Sequence, residues 1–375
     1  MANTIRGTAA AGAFLALLGT GARAGEWSVS RLTNNATHDV NPQISGGRVV
    51  WEAYDGHDRE IMCWDGTGCT ALTNNLTNDV GPQISGDHVA WLQWTGSDYD
   101  VCLWDGTTTS RLATNGDPDW FLSASGNQVA WSTEDGQDWE VCLWDGTAVR
   151  QLTSNAWDDM YPQTDGSQVV WSGFDGTNWE INLWEGSAVR QLTNSSSLDQ
   201  EYPHMDEGLV VWNGSDGCDA EILLWDGSTT RALTDNACGD YYPEISGGRV
   251  VWQTYDGQDW EVCYWDGSAV VQLTDNGQDD VFPQISGSCV AWETWDGTDW
   301  EIAAWDGTAV AQLTNNGTDD RYPQVSGRQV VWWGWAADGS STEVFLASAT
   351  VPQLPPVCLA LLGLVPLALK LRGRR

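Results

Sequence analysis

The stretch LTNNATHDVNPQISGGRVVWEAYDGHDREIMCWDG, residues 32–66, holds a Leu-Thr pair, an Asp-x-x-Pro, a Ser-Gly turn, a Val-x-Trp, a D-G-x-D-x-E run and a Trp-Asp-Gly. That frame returns along the whole chain. The repeat's Leu stands at 32, 72, 112, 152, 192, 233, 273 and 313, a spacing of 40 residues with one of 41. Seven residues later comes an Asp: Asp39, Asp79, Asp119, Asp159, Asp199, Asp240, Asp280 and Asp320. The Val-x-Trp segment ends on Trp51, Trp91, Trp131, Trp171, Trp212, Trp252, Trp292 and Trp332. Asp-Gly and Ser-Gly punctuate short runs rich in Val, Ile and Trp, which is the pattern of strands joined by tight hairpins. In the first unit the strands are expected around Pro42–Ser45, at Val49–Tyr54, at Glu60–Trp64 and at Thr70–Thr73. Four strands in about 40 residues make one blade of a β-propeller.

The register of the ends predicts a closed ring. The last unit stops near Ser348 without a fourth strand, and Ser28–Thr33 supplies an orphan one. If it completes the final blade, no sheet edge remains at the seam. The expected fold is therefore all-β: an eight-bladed propeller over residues 25–350, and a monomer.

Both ends read as addresses. Residues 1–24 combine Arg6, the apolar stretch Ala9–Leu18 and Ala22-Arg23-Ala24, the pattern of a secretory signal peptide. Residues 351–375 run from Val351-Pro352-Gln353-Leu354-Pro355-Pro356 through an apolar stretch interrupted by Pro366 to the basic cluster Lys370–Arg375. This tail resembles the PEP-CTERM family of bacterial sorting signals, with V-P-Q-L-P where P-E-P is usual. The resemblance implies export, contact with the membrane only through the tail, and display at the cell surface or in the extracellular matrix.

The 375 residues carry 52 Asp and Glu against 16 Lys and Arg, a net charge of −36. Six of the bases lie in the two ends, so the body has 16 − 6 = 10 bases, no lysine, and all the acids. Such a surface repels phosphate backbones, which excludes nucleic acid as a partner, and it favours cations.

The repeat resembles the TolB-like or PD40 type of WD40-like propeller through Leu32-Thr33, Asp39-Val40-Asn41-Pro42, Ser45 and Asp55-Gly56. The resemblance covers residues 26–349. It departs in having Ser-Gly for S-P-D-G and Trp where the strand often carries Phe. It implies a propeller used for protein or ligand contact, at times beside a separate catalytic domain. No such domain is expected in these 375 residues, so no family activity carries over.

Tryptophan is abundant, with 26 residues. The Val-x-Trp column and the Trp-Asp-Gly column (Trp64, Trp104, Trp144, Trp184, Trp225, Trp265, Trp305) are expected between blades as packing. Trp94, Trp139, Trp179, Trp260, Trp295 and Trp300 fall in second-to-third-strand hairpins, and Trp120 and Trp157 in loops between blades. Both kinds of connection emerge on one face, where aromatics amid carboxylates suit a glycan. On the same face, Asp55/Asp58/Glu60, Asp135/Asp138/Glu140, Asp256/Asp259/Glu261 and Asp296/Asp299/Glu301 offer hard oxygens for calcium. Asp-Gly is equally a common hairpin turn, and the Asp column serves equally as a loop-closing acceptor. His38 and His57 break the repeat in its first unit and form a second candidate metal site beside Asp39 and Asp58. Cys218 pairs with Cys238 and Cys63 with Cys69 in the expected disulfides, while Cys102, Cys142 and Cys263 are expected as buried thiols.

No nucleophile-elbow, zinc-peptidase or P-loop motif occurs. The expected function is a non-enzymatic surface module for a glycan or protein partner. The alternatives are a secreted carbohydrate-active hydrolase or lyase on the same ring, and a TolB-like periplasmic assembly factor.

Overall fold

The structure, a computed structural model, describes residues 26–350 other than 197 and 216. The signal-peptide reading of residues 1–24 and the sorting-tail reading of 351–375, which includes Cys358, concern residues outside this range. The described residues form 32 strands in eight four-stranded antiparallel sheets, an eight-bladed β-propeller without helices. Blade 1 comprises Asp39–Ser45, Arg48–Tyr54, Arg59–Trp64 and Cys69–Ala71, from the buried innermost strand to the exposed outermost one. Blades 2 to 7 repeat it over 79–111, 119–151, 159–191, 200–232, 240–272 and 280–312.

Blade 8 takes Asp320–Ser326, Gln329–Trp335 and Thr342–Ala349, and Trp27–Arg31 supplies its outermost strand. Trp27 faces Ala349 and Arg31 faces Phe345, so the ring closes as the sequence predicts. A second clasp lies on the opposite face from the hairpins. In five Ser-Gly turns the Ser accepts the amide of the next blade's Gly, as in Gly86 N to Ser45 Oγ at 3.0 Å and Gly327 N to Ser286 Oγ at 2.9 Å. Gly46 N donates to Ser326 Oγ at 3.1 Å, carrying the clasp across the seam.

Each repeated residue has a physical task. The Val-x-Trp rings are fully buried between blades. Area alone makes each worth about 4–6 kcal/mol. Outside blades 3 and 5 their indole N–H groups donate to the repeat's Asp, as Trp51 to Asp39 at 3.0 Å and Trp252 to Asp240 at 2.9 Å, whereas in blade 3 Trp131 makes no such bond. The other oxygen of that Asp accepts the amide of an Asn four residues earlier, as Asn236 to Asp240 at 2.8 Å. The Asn backbone in turn reaches the third-strand Glu, as Asn155 N to Glu140 Oε1 at 2.8 Å. The Leu-Thr hydroxyl accepts a third-strand amide, as Ile61 N to Thr73 Oγ1 at 2.8 Å. The Asp column is thus the hub of a buried network tying first, second and third strands together.

Blade 5 corrects the sequence reading in one position. The extra residue in its 41-residue spacing puts Gln200, not Asp199, under the indole of Trp212, at 2.7 Å. Asp199 moves into the loop and caps Trp179 N at 3.1 Å.

Candidate functional site

The second-to-third-strand hairpins and the between-blade loops share one face. Arg59 N donates to Asn78 Oδ1 at 3.0 Å, Trp139 N to Asp158 at 3.1 Å, Trp260 N to Asp279 at 3.1 Å and Trp300 N to Asp319 at 3.0 Å. Each bond anchors a hairpin to the loop entering the next blade.

Inside that face lies a feature the sequence reading passes over. In every blade the third residue of the innermost strand has positive φ, and the register slips there in a bulge. Blades 1 and 2 use Asn41 and Gly81, which tolerate this conformation. The other six use Phe121, Tyr161, Tyr202, Tyr242, Phe282 and Tyr322, with φ between 51° and 57°. A bulky side chain there costs about 1–3 kcal/mol. Neighbouring blades hold the strained amides: Phe282 N donates to Gln253 Oε1 at 2.9 Å and Tyr322 N to Glu293 Oε1 at 2.7 Å.

These rings form an arc. Successive centroids from Phe121 through Tyr161, Tyr202 and Tyr242 to Phe282 are 4.5, 5.1, 6.2 and 5.7 Å apart. Tyr202, Tyr242, Phe282 and Tyr322 are exposed. A Tyr or Phe just before the repeat's Pro, or before Leu122 that replaces it in blade 3, is the sequence signal that marks them. The hairpin tryptophans back this arc. Trp139 lies 6.1 Å from Phe121, and Trp260 lies between Tyr241 at 5.8 Å and Tyr255 at 5.3 Å. Trp179 meets Phe174 at 5.6 Å, Trp295 meets Trp300 at 5.5 Å, and Arg321 sits over Trp300 at 4.8 Å.

Where the arc breaks, at Asn41 and Gly81, the surface opens. A cleft of about 570 Å³ is lined by Asn41, Glu52, Arg59, Tyr99, Trp120 and Phe121 among others. An adjoining one of about 510 Å³ is lined by His38, Tyr54, Trp333 and Trp335, and shares Glu52 and Arg59. Glu52 accepts from Arg59, from Asn41 Nδ2 at 2.9 Å and from Gly81 N at 2.9 Å, so the ion pair between the clefts is fixed on all sides. Tyr99 bridges Trp94 and Trp120, at 5.1 Å from each. Charge, amides and ring faces therefore converge around the Glu52–Arg59 pair.

The four acidic triads are brought together: in each, one oxygen per residue lies within 4.8 Å of the others. Burial first, then the like charges beside them, raise the carboxyls of Asp58, Asp138 and Asp259; burial raises that of Asp299. The candidate histidine site is not assembled. His38 Nδ1 faces Thr342 at 3.2 Å and its ring meets Trp335 edge-on, while His57 lies in solvent 3.8 Å from Asp55. His204, isolated in the sequence, pairs with Glu244 of the next blade at 3.0 Å. Burial alone would lower its pKa, but the Glu244 charge and hydrogen bond hold it above 6.5.

Neither expected disulfide is present. Cys63 faces Thr70 across the ladder and Cys69 faces Trp64, so the two side chains leave opposite sides of the sheet, one buried and one exposed. Cys238 is a free thiol, and its backbone N–H donates to Asn236 Oδ1 at 2.6 Å. Burial pushes the Cys102 thiol up to about 11 and those of Cys142, Cys263 and Cys289 up to about 12, which makes them inert.

No protein-family model and no curated protein matches the chain. Solved propellers do. The β-propeller domain of the Trilobed protease from Pyrococcus furiosus is 13% identical, with a TM-score of 0.54 over 74% of this chain and 96% of that one. The computationally designed Ika8 protein is 20% identical, with a TM-score of 0.58 over 84% and 98%. A puromycin-hydrolyzing peptidase from Mycobacterium tuberculosis is 15% identical, with a TM-score of 0.56 over 83% of this chain and 60% of the peptidase. At these identities the likeness is one of fold.

Proposed function

We propose that this propeller is a non-enzymatic binding module that takes an uncharged glycan on its hairpin face, with the Glu52–Arg59 clefts as the principal subsite. On the reading of its two ends and its TolB-like repeat, it is exported and held at a bacterial surface. The observation that carries the proposal is the aromatic arc. Six large rings are kept in a costly left-handed conformation, four of them exposed, and the arc gives way to a cleft of about 570 Å³ where Asn41 and Gly81 relax the backbone. Ring faces stack on the apolar faces of sugars, while Arg59, Asn41 and Asn78 supply directional bonds to hydroxyls. The net charge of −36 disfavours polyanionic saccharides.

A glycan array followed by calorimetric titration of the full chain tests this. Saturable binding with no released product is expected, weakened about tenfold or more by W120A or R59A, as for anchoring residues at an interface. D65N, at a turn on the opposite face, should bind as the parent does. Release of shortened saccharide would replace the binding reading with the hydrolase or lyase one, and absence of all binding would overturn both.

A further inference from the structure

Four hairpins contain a buried carboxylate that forms no ion pair among the described residues. Asp58, Asp138, Asp259 and Asp299 are 6, 8, 7 and 6% exposed, and neither carboxylate oxygen of any of them has a hydrogen-bond partner. Each lies with a buried Glu (Glu60, Glu140, Glu261 or Glu301) and the turn Asp (Asp55, Asp135, Asp256 or Asp296) in a cluster spanning no more than 4.8 Å. A buried carboxylate without donors is strongly unfavourable, and here the arrangement recurs four times.

Blades 2, 4 and 8 show what the position requires. In blade 8, Ser341 replaces the middle Asp and donates to Glu343 Oε1 at 3.0 Å, and Arg31 reaches the same oxygen at 2.6 Å. In blade 2, Thr95 replaces the turn Asp, and Arg111 lies 3.1 Å from Asp100, the counterpart of the Glu. Arg31 and Arg111 occupy one register position, immediately before the repeat's Leu. The triad blades have Ala71, Gln151, Gln272 and Gln312 there. In blade 4, Asn178 replaces the middle Asp, and its amide donates to Glu180 Oε1 at 2.7 Å. A donor or a guanidinium is built in wherever an acid is lost. Where all three acids converge, the middle Asp receives none among the described residues.

We propose that the hairpins of blades 1, 3, 6 and 7 each bind one calcium ion through these three carboxylates. The donors are all hard oxygens. Oxygens on opposite sides of a calcium lie about 4.6–5.2 Å apart, whereas magnesium draws them to about 4.0–4.2 Å. The ion fixes each hairpin tip, and with it Trp139, Trp260 and Trp300, which directly follow the middle Asp in three of the four sites. The proposal stands whether or not the hairpin face binds a glycan.

The test uses the full chain, stripped with a chelator and titrated with calcium chloride by calorimetry. About four equivalents are expected, with a higher melting temperature than in chelator. D58N, D138N, D259N and D299N should each lose one equivalent, and D65N, at a turn on the opposite face, should lose none. The unmodified protein gives an independent readout that does not depend on a variant folding. Terbium should luminesce on tryptophan excitation, and calcium should quench it. Absence of both calcium heat and terbium luminescence would overturn the proposal, as would unchanged stoichiometry in the folded Asn variants.

Discussion

Trp252 shows how one side chain serves two demands. Its ring fills the gap between blades, and its N–H satisfies Asp240, whose carboxyl burial has already raised. Trp252→Phe keeps most of the packing but leaves a buried acceptor unpaired. A loss of about 1–3 kcal/mol is expected, read from chemical denaturation. The arc residues carry the opposite balance. Tyr242 sits at φ 54°, between Tyr202 and Phe282, and its ring is exposed. Tyr242→Gly relieves backbone strain while deleting the ring, so stability should stay within about 1 kcal/mol of the parent. Glycan affinity should fall in the same variant, which separates folding from binding.

The element on which the ring depends is the short outermost strand Trp27–Arg31. It contributes little core of its own, since four of its five residues are exposed. It covers the edge of Thr342–Ala349, and beyond it Thr33 Oγ1 donates to Glu343 Oε2 at 2.6 Å and accepts Val344 N at 3.0 Å. Deleting residues 26–33 should expose that edge to pairing with other chains. The expected result is oligomers or aggregates on size-exclusion chromatography and a lower melting temperature. The strand was legible because the first unit begins with a piece that the last unit lacks. The Ser-Gly clasp was not, because in the sequence those residues read only as turn formers. Their bonds run between residues 41 apart, or 280 apart at the seam, on different blades.

At the scale of the whole molecule, charge governs behaviour. Burial holds the carboxyls of Asp119, Asp159 and Asp320 at about 7 against an ordinary value of 3.8. Between those values the folded chain keeps protons that the unfolded chain has released, so stability falls as pH rises from about 4 to about 7. Melting temperature should therefore be higher at pH 5 than at pH 8, the reverse of ordinary acid denaturation. Since the net charge is −36, added monovalent salt should raise it at pH 8 by screening self-repulsion. Melting curves over pH and sodium chloride concentration check both expectations.

The sequence alone determined the number of blades, the strand order within each and the closing strand. Those follow from periodicity and turn chemistry, which are local and are repeated eight times here. It also grouped the four acidic triads, because a hairpin brings residues three and five apart to one tip. Only the tertiary structure decided which oxygens remain unpartnered, that Arg31 and Arg111 reach the buried acids Glu343 and Asp100, and that Cys63 and Cys69 point apart. It alone decided that residues just before the repeat's Pro form one aromatic arc around the ring. Such facts depend on where equivalent residues of different blades meet, and a linear pattern gives the equivalence without the meeting.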